Sequence, residues 1–419
     1  MEKQLPIPFY GWRIVLASFF TLGLSVGLPY FGMTFFYDYF EKPGIAGGFG
    51  WSRSVITFGL PVGTLFTLWV GPILVPRFPP RMLILLGTAC TAATFFGFGI
   101  MSGALWVYWA LWLLYMVGNV FSGVLTHQML LGQWFREKRG LALSIAYLGI
   151  NVIGAVSSRF LVQPITETYG FRTALIVMGS LQFLAWPLVL LVYKDRPALM
   201  GLHPDGSPPS PAEPADPESA LPFADMIRSR IFWILMLGGT CISGALGAIS
   251  QHLKLIFKDA GFRDQLQLNS IFSETLLLLL IVSAGSRIAA GWMADRFPKQ
   301  HVLSLMVLFF VSAIPFLLLL QPGRPAYLFP LLFGLALGGD FLIIALMAAD
   351  YFNSISLARI LAIVLAVMTL GQTWFPYFIS LVREWSGTYT TPLLMVVFIG
   401  IAGRLLLFLL PIRIPPANI

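Results

Sequence analysis

The chain has 419 residues, 58% of them hydrophobic and only 11% charged, with a formal net charge of +8. An ordinary soluble chain carries about 25% charged residues, so there are too few polar side chains here to cover a soluble fold of this size. The composition excludes a soluble enzyme, a disordered protein and a nucleic-acid-binding domain. It points to an integral membrane protein, with basic residues lying in short loops rather than on one face.

A membrane-spanning helix needs about 20 apolar residues. Twelve such runs are predicted, near 13–35, 54–75, 82–101, 105–131, 140–163, 173–193, 230–257, 270–293, 301–320, 325–349, 359–382 and 390–412. The first follows Lys3 and Arg13 without a small-residue cleavage site, so it is expected to be retained. Gly27-Leu28-Pro29 should kink it and place Leu28 and Tyr30 on a cavity wall. The fourth run carries Tyr115, Asn119, Ser122 and Thr126 at helical spacing, and the fifth carries Ser144, Tyr147, Asn151 and Ser158. A polar stripe on a membrane helix faces a cavity or another helix, not lipid. For Ser and Thr the competing role is helix–helix contact.

Residues 194–229, rich in Pro, Ser and acids, read as a flexible linker. It divides the chain into an N-terminal six-helix bundle (1–193), a cytoplasmic linker (194–229) and a C-terminal six-helix bundle (230–419). In the seventh run, His252 follows Gln251 near the outer end; it is a candidate point of proton uptake, weighed against a satisfied loop histidine. The eighth run holds Ser283 and Arg287, the tenth Asp340, and the eleventh Thr369, Thr373, Pro376, Tyr377 and Ser380.

An intramembrane charge costs about 2.5–3.5 kcal/mol on insertion scales and is a functional candidate by default. Arg159, Lys254, Glu274 and Arg404 lie toward span ends, where they are expected to snorkel. Arg287 and Asp340 lie roughly 12 and 15 Å from the ends of their helices at 1.5 Å per residue. An arginine at that depth stays protonated and can clamp a carboxylate with two parallel hydrogen bonds. Asp340 is the natural proton carrier, held near Arg287 when the site is empty; a purely structural ion pair is the alternative. Loading a proton and an anion together leaves the net charge of the site unchanged, which predicts electroneutral proton–anion symport. Few polar groups and many aromatics imply a small cavity. The four histidines, His127, His203, His252 and His301, are too scattered for a metal cluster, and no cofactor is expected.

Arg77-Phe78-Pro79 and Arg296-Phe297-Pro298 stand 219 residues apart. Trp134-Phe135 followed by Arg139 matches Tyr351-Phe352 followed by Arg359 at nearly the same spacing. Two parallel six-helix repeats joined by a long loop describe the major facilitator fold, so the expected class is an all-α integral membrane protein of twelve helices. Gly291 to Arg296 resembles the G-x-x-x-D-R signature of that superfamily. Asp295 beside Arg296 is expected to lock neighbouring helices. Its first-half counterpart is Pro76, which leaves Arg77 and Arg139 as the basic landmarks of the gate there. Basic residues favour the loops on the N-terminal side, which puts both termini and the linker in the cytoplasm of a cell with the chain in its inner membrane.

Trp134-Phe135-Arg136-Glu137-Lys138-Arg139-Gly140-Leu141-Ala142, continuing to Gly149 and Gly154, resembles the aromatic-Phe-x-x-x-Arg-x-x-Ala signature of the monocarboxylate transporter family. Tyr169-Gly170-Phe171-Arg172 resembles its Gly-Trp-Arg stretch, and Gly11-Trp12 keeps part of its first-span signature without the preceding acid. The resemblance implies proton-coupled transport of L-lactate or pyruvate, with the family's substrate-binding arginine falling on Arg287. The family's acid four residues earlier is Ser283 here and its first-span lysine is Tyr30, which makes Asp340 the expected substitute in proton coupling. The expected partners are a small monocarboxylate, a proton and the lipid bilayer, with no nucleic acid, and the chain is expected to work as a monomer. Anion exchange without proton coupling is the alternative. A membrane-embedded enzyme is disfavoured, because no histidine cluster or paired carboxylates occur at depth.

Overall fold

The structure, a computed structural model, describes residues 9–136, 138–206, 223–322, 327–352 and 354–411, with backbone alone at 46, 66–73, 76, 223–224, 226, 340, 354–359 and 362. It is all-helical. The long helices are α1 (Gly11–Glu41), α2 (Gly59–Leu74), α3 (Pro80–Ile100), α4 (Leu105–Trp134), α5 (Arg139–Tyr169) and α6 (Phe171–Leu191). They continue with α7 (Arg230–Asp259), α8 (Gln265–Ala294), α9 (Lys299–Leu318), α10 (Leu328–Tyr351), α11 (Ser354–Ser386) and α12 (Thr390–Phe408). Among the described residues, 11 helices are long and apolar enough to cross a membrane. The remaining predicted run, 54–75, is split into a short helix, Arg53–Thr57, and α2. Pro61 explains the split: it has no N–H to offer the carbonyl of Thr57, four residues back.

Other breaks also follow from the residues. In α1 the ladder widens to a π turn over Gly23–Gly27, just before Pro29, so the irregularity expected at 27–29 is a π bulge. In α4 it lapses at Gly123, between Ser122 and Val124. In α10 it lapses at Gly338 and Gly339, between Leu337 and Asp340.

Backbone contacts divide the chain into two compact units, one of Met1–Gly32 with Leu65–Glu213 and one of Met33–Thr64 with Pro214–Ile419. In the first unit, the Gly11–Gly32 portion of α1 packs along α5, and α3 packs on α4 and α6. The α1–α5 seam depends on small residues: a side chain at Gly149 would collide with the Phe19 carbonyl, and one at Gly27 with the Ile150 carbonyl. Without a hydrophobic drive between helices in lipid, such backbone approach is a main source of packing energy. At one end of this unit Trp134, Phe135, Ile14, Val15 and Tyr193 form a buried cluster. The beginning of the expected linker is docked on it: Trp134 Nε1 donates to the Lys194 carbonyl at 2.8 Å, and Asp205 accepts from the Arg136 backbone N–H at 2.7 Å. Residues 207–222 of the linker lie outside the described residues.

In the second unit α7 packs on α11 and α12, while α10 packs on α8 and α9. The Met33–Glu41 portion of α1 and the short helix Arg53–Thr57 belong to this unit and lie on α7 and α11 respectively.

Candidate functional site

Arg287 sits in the interior of α8, half-buried, and its Nε donates to the Gly338 carbonyl at 3.3 Å. The backbones meet closely there, since a Cβ at Gly338 would lie 2.6 Å from the Ser283 carbonyl and 2.7 Å from the Arg287 nitrogen. Ser283 is fully buried on the same stretch of α8. Arg287 thus reaches the break in α10, two residues before Asp340, which starts the second helical segment. The Asp340 side chain lies outside the described residues, so the expected pairing of the two rests on sequence. Broken helices in membranes occur where backbone lines protein or a water-filled cavity. Tyr377, half-buried on α11, has its ring centroid 4.8 Å from that of Phe58.

The first-unit candidates fall in different settings. Leu28 is fully buried, and Tyr115 is enclosed by aromatic packing, its ring 5.4 Å from Trp112 and 6.3 Å from Phe95. Neither side chain lines an open space, contrary to expectation, because the large aromatics of α3 and α4 close around one and helix packing covers the other. Asn119 is half-buried and lies against Gly123 at the α4 break. Tyr30 and Tyr147 are half-buried and Asn151 is buried.

The strongest electrostatic feature is one that sequence reading missed. Asp38, on the last turns of α1, is 0% exposed, and Lys254 of α7 is 1% exposed. Lys254 Nζ forms an ion pair with Asp38 Oδ1 at 2.8 Å and donates to the Phe35 carbonyl at 2.6 Å. The ammonium lies 3.7 Å from the Phe35 ring centroid and 4.8 Å from that of Tyr39. Gln265 Nε2 donates to Asp38 Oδ2 at 2.7 Å and to Asn269 Oδ1 at 3.0 Å, and Asn269 Nδ2 donates to Tyr39 Oη at 3.0 Å. Lys254 therefore does not snorkel. The apolar run ending near residue 35 concealed Asp38, because the helix continues to Glu41 through Phe35, Phe36, Tyr37 and Phe40. Arg404 does not snorkel either; it donates to Ser304 Oγ at 2.7 Å and to the Gln300 carbonyl at 3.1 Å.

A second layer of charge follows within the same unit. Lys258 and Arg53 both donate to Glu41, at 2.6 and 2.8 Å. Arg53 also donates to Asp259 at 2.7 Å, and Arg383 donates to the other oxygen of Asp259 at 2.8 Å. Ser54 donates to Glu384 from its backbone N–H at 2.9 Å and from its hydroxyl at 3.0 Å, and the Thr57 and Ser380 hydroxyls are 2.7 Å apart. Burial works against the charge of Arg53, but the Asp259 and Glu41 carboxylates outweigh it and hold its pKa above the ordinary arginine value. Beneath this layer His252 is fully buried. Its Nε2 donates to the Pro376 carbonyl at 2.8 Å, which leaves Nδ1 to accept from Tyr389 Oη at 2.7 Å. His252 is a satisfied neutral histidine of the interior rather than an exposed point of proton uptake.

Of the gate residues, Asp295 and Arg296 are exposed at the end of α8, and Arg296 stacks on Trp292 of its own helix with 4.2 Å to the ring centroid. The ion pair near this end joins Lys299 at the start of α9 to Asp350 at the end of α10. Arg77 is exposed, and the exposed Arg139 lays its guanidinium over Gly132.

The sequence pattern of the Major Facilitator Superfamily matches residues 126–339, just over half of the chain. The chain belongs to the major facilitator superfamily. With that membership and its 11 long apolar helices among the described residues, it is a multi-pass membrane protein. It is 26% identical over 310 residues to Monocarboxylate transporter 13 of Bos taurus, a match covering 71% of this chain and 65% of that protein, just under two thirds of its length. It is 25% identical over 324 residues to the uncharacterized MFS-type transporter YcxA of Bacillus subtilis (strain 168), covering 75% and 72%. It is 25% identical over 241 residues to the multi-drug resistance efflux pump PmrA of Streptococcus pneumoniae, covering 55% of each. Among solved structures, it resembles a bacterial homologue of the human lysosomal transporter Spinster in an inward-facing, unoccupied conformation (TM-score 0.70, 13% identity, 96% of this chain and 97% of that one). It also resembles a peptide transporter POT in complex with sulfate (TM-score 0.66, 15% identity, 94% of each). These two similarities bear on the fold alone. The Gly291–Arg296 signature of this superfamily member falls on the exposed end of α8, at the turn into α9.

Proposed function

We propose that this transporter is a proton-coupled symporter of a small monocarboxylate, L-lactate or pyruvate, working by alternating access. The observation that carries the reading is Arg287, half-buried within a spanning helix and aimed at the break in α10. A guanidinium has five N–H donors, enough to keep the bond to Gly338 and to receive a carboxylate through its planar fork. The similarity to a monocarboxylate transporter supports the same class of substrate. A proton taken up with the anion keeps the loaded protein at the charge of the empty one, so no unpaired charge moves through a low-dielectric region. The basic-residue bias supports both termini on the cytoplasmic side of an inner membrane, and the Arg-Phe-Pro repeat supports two homologous six-helix halves.

The test is uptake of labelled L-lactate into proteoliposomes with and without an inward proton gradient. Accumulation that collapses on adding an uncoupler is the expected result. Uptake that ignores the gradient and requires an internal anion would replace symport with exchange, and no uptake of either acid would remove the monocarboxylate reading.

A further inference from the structure

We propose that Asp38, ion-paired with Lys254, is the group that binds the coupling proton. This rests on the proton-coupled reading above and names its site. Among residues with described side chains, Asp38 is the one fully buried carboxylate. Taking two charges out of water costs several kcal/mol per ion, and a well-packed apolar pair of similar volume often serves stability as well or better. A buried ion pair inside spanning helices, with Asp38 Oδ1 held by the charge of Lys254 and by no hydrogen bond, therefore calls for a role beyond holding the fold.

The geometry supplies that role. As a carboxylate, Asp38 is ion-paired with Lys254 through Oδ1 and accepts from Gln265 at Oδ2. When a solvent proton adds to Oδ1, that oxygen becomes an O–H donor facing the ammonium, which has only donors. The charge–charge attraction is lost and Oδ1 keeps only the weaker acceptor capacity of a hydroxyl, so the pair is loosened. Gln265 still satisfies Oδ2, so the neutral acid keeps one of its bonds. Lys254 keeps the Phe35 carbonyl and the aromatic faces of Phe35 and Tyr39. Protonation thereby loosens the hold of α7 on the last turns of α1. Re-forming the pair returns the proton to whichever solution then reaches Asp38. One proton bound at Asp38 and one anion bound at Arg287 leave the net charge of the transporter as it was when empty.

Among the described residues, the charged and titratable neighbours are few. Tyr37, Tyr39, Glu41 and Lys42 come from α1 and the loop after it, Lys258 comes from α7, and α8 presents the amides Gln265 and Asn269. Tyr37 Oη donates to Gln251 of α7 at 3.0 Å, and Glu41 is engaged by Arg53 and Lys258. Asp38 is the acid that faces Lys254.

The test compares Asp38→Asn, Asp38→Asn/Lys254→Met and Asp340→Asn with the wild type in proteoliposomes given labelled L-lactate on the outside. A gradient of one pH unit drives about ten-fold accumulation for a one-proton symporter. Wild type should reach that level. The two Asp38 variants should only equilibrate, and their lactate counterflow should lose its dependence on pH. The double variant has no buried unpaired charge, so it guards against a folding defect. Accumulation by Asp38→Asn equal to wild type would overturn the proposal, as would its loss in Asp340→Asn alone. A second readout needs no substrate: infrared pH-difference spectra of the purified transporter should show a protonated carboxyl band that disappears in Asp38→Asn. If that band is present and removed while no variant moves lactate, the proton site stands and the substrate reading fails. If wild-type uptake is proton-driven and the band persists in Asp38→Asn, the proton site is elsewhere.

Discussion

Arg53 holds the loop between the first two spans to the rest of the second unit, and its removal gives a worked expectation. Its Nε meets Glu41 at 2.8 Å and its Nη2 meets Asp259 at 2.7 Å, with Arg53 only 3% exposed. Charge-assisted hydrogen bonds contribute about 1.5–3 kcal/mol each, so Arg53→Met forfeits about 3–6 kcal/mol gross. Lys258 and Arg383 still neutralise Glu41 and Asp259, so the penalty for stranded carboxylates is partly avoided and the lower figure is appropriate. At about 1.4 kcal/mol per factor of ten, release of the segment around Ser54 and Thr57 should become on the order of 100-fold more favourable. The assay is thiol labelling of Thr57→Cys, a buried position, in a chain with Cys90 and Cys241 changed to Ser. Arg53→Met should raise the labelling rate by that factor, and Arg53→Lys by much less, since the charge remains but the fork does not. Raising pH into the alkaline range should not mimic the substitution, because the two carboxylates hold the guanidinium charged. Equal labelling rates in Arg53→Met and wild type would refute the argument that this residue secures the loop.

Arg287→Lys keeps the charge and loses the planar fork, so half-saturation for L-lactate should rise by about ten-fold or more, read as the concentration dependence of initial uptake. Gly149→Val should destabilise the first unit by about 3 kcal/mol or more through collision with the Phe19 carbonyl, whereas Gly140→Ala, with open space around it, should be neutral or stabilising by up to about 1 kcal/mol. Thermal unfolding in detergent separates the two. His252→Leu removes the partner of Tyr389 Oη, while the Pro376 carbonyl keeps the Ser380 hydroxyl at 3.1 Å, and should cost about 1–3 kcal/mol for the one stranded group in the same assay; an unchanged midpoint would argue against the hydrogen bond assigned between His252 and Tyr389.

Membrane insertion, the number of apolar runs and the place of Arg287 inside one of them were legible in the linear sequence. Each depends on local hydrophobicity and helical rise, which residues carry without knowledge of their neighbours. The superfamily signature at Gly291–Arg296 was legible for the same reason. What a buried charge touches was not. Lys254 stands near the end of an apolar run, and depth alone suggests snorkelling; only the fold brings Asp38, 216 positions away in sequence, and Gln265 around its ammonium. Tyr115 and Leu28 show the converse, since helical spacing put them on a polar stripe or at a kink and the aromatics of α3 and α4 or the helix packing enclosed them. Helix periodicity says which side chains share a face. Whether that face meets water, lipid, an aromatic wall or an opposite charge depends on contacts between distant segments, and those exist only once the helices have packed.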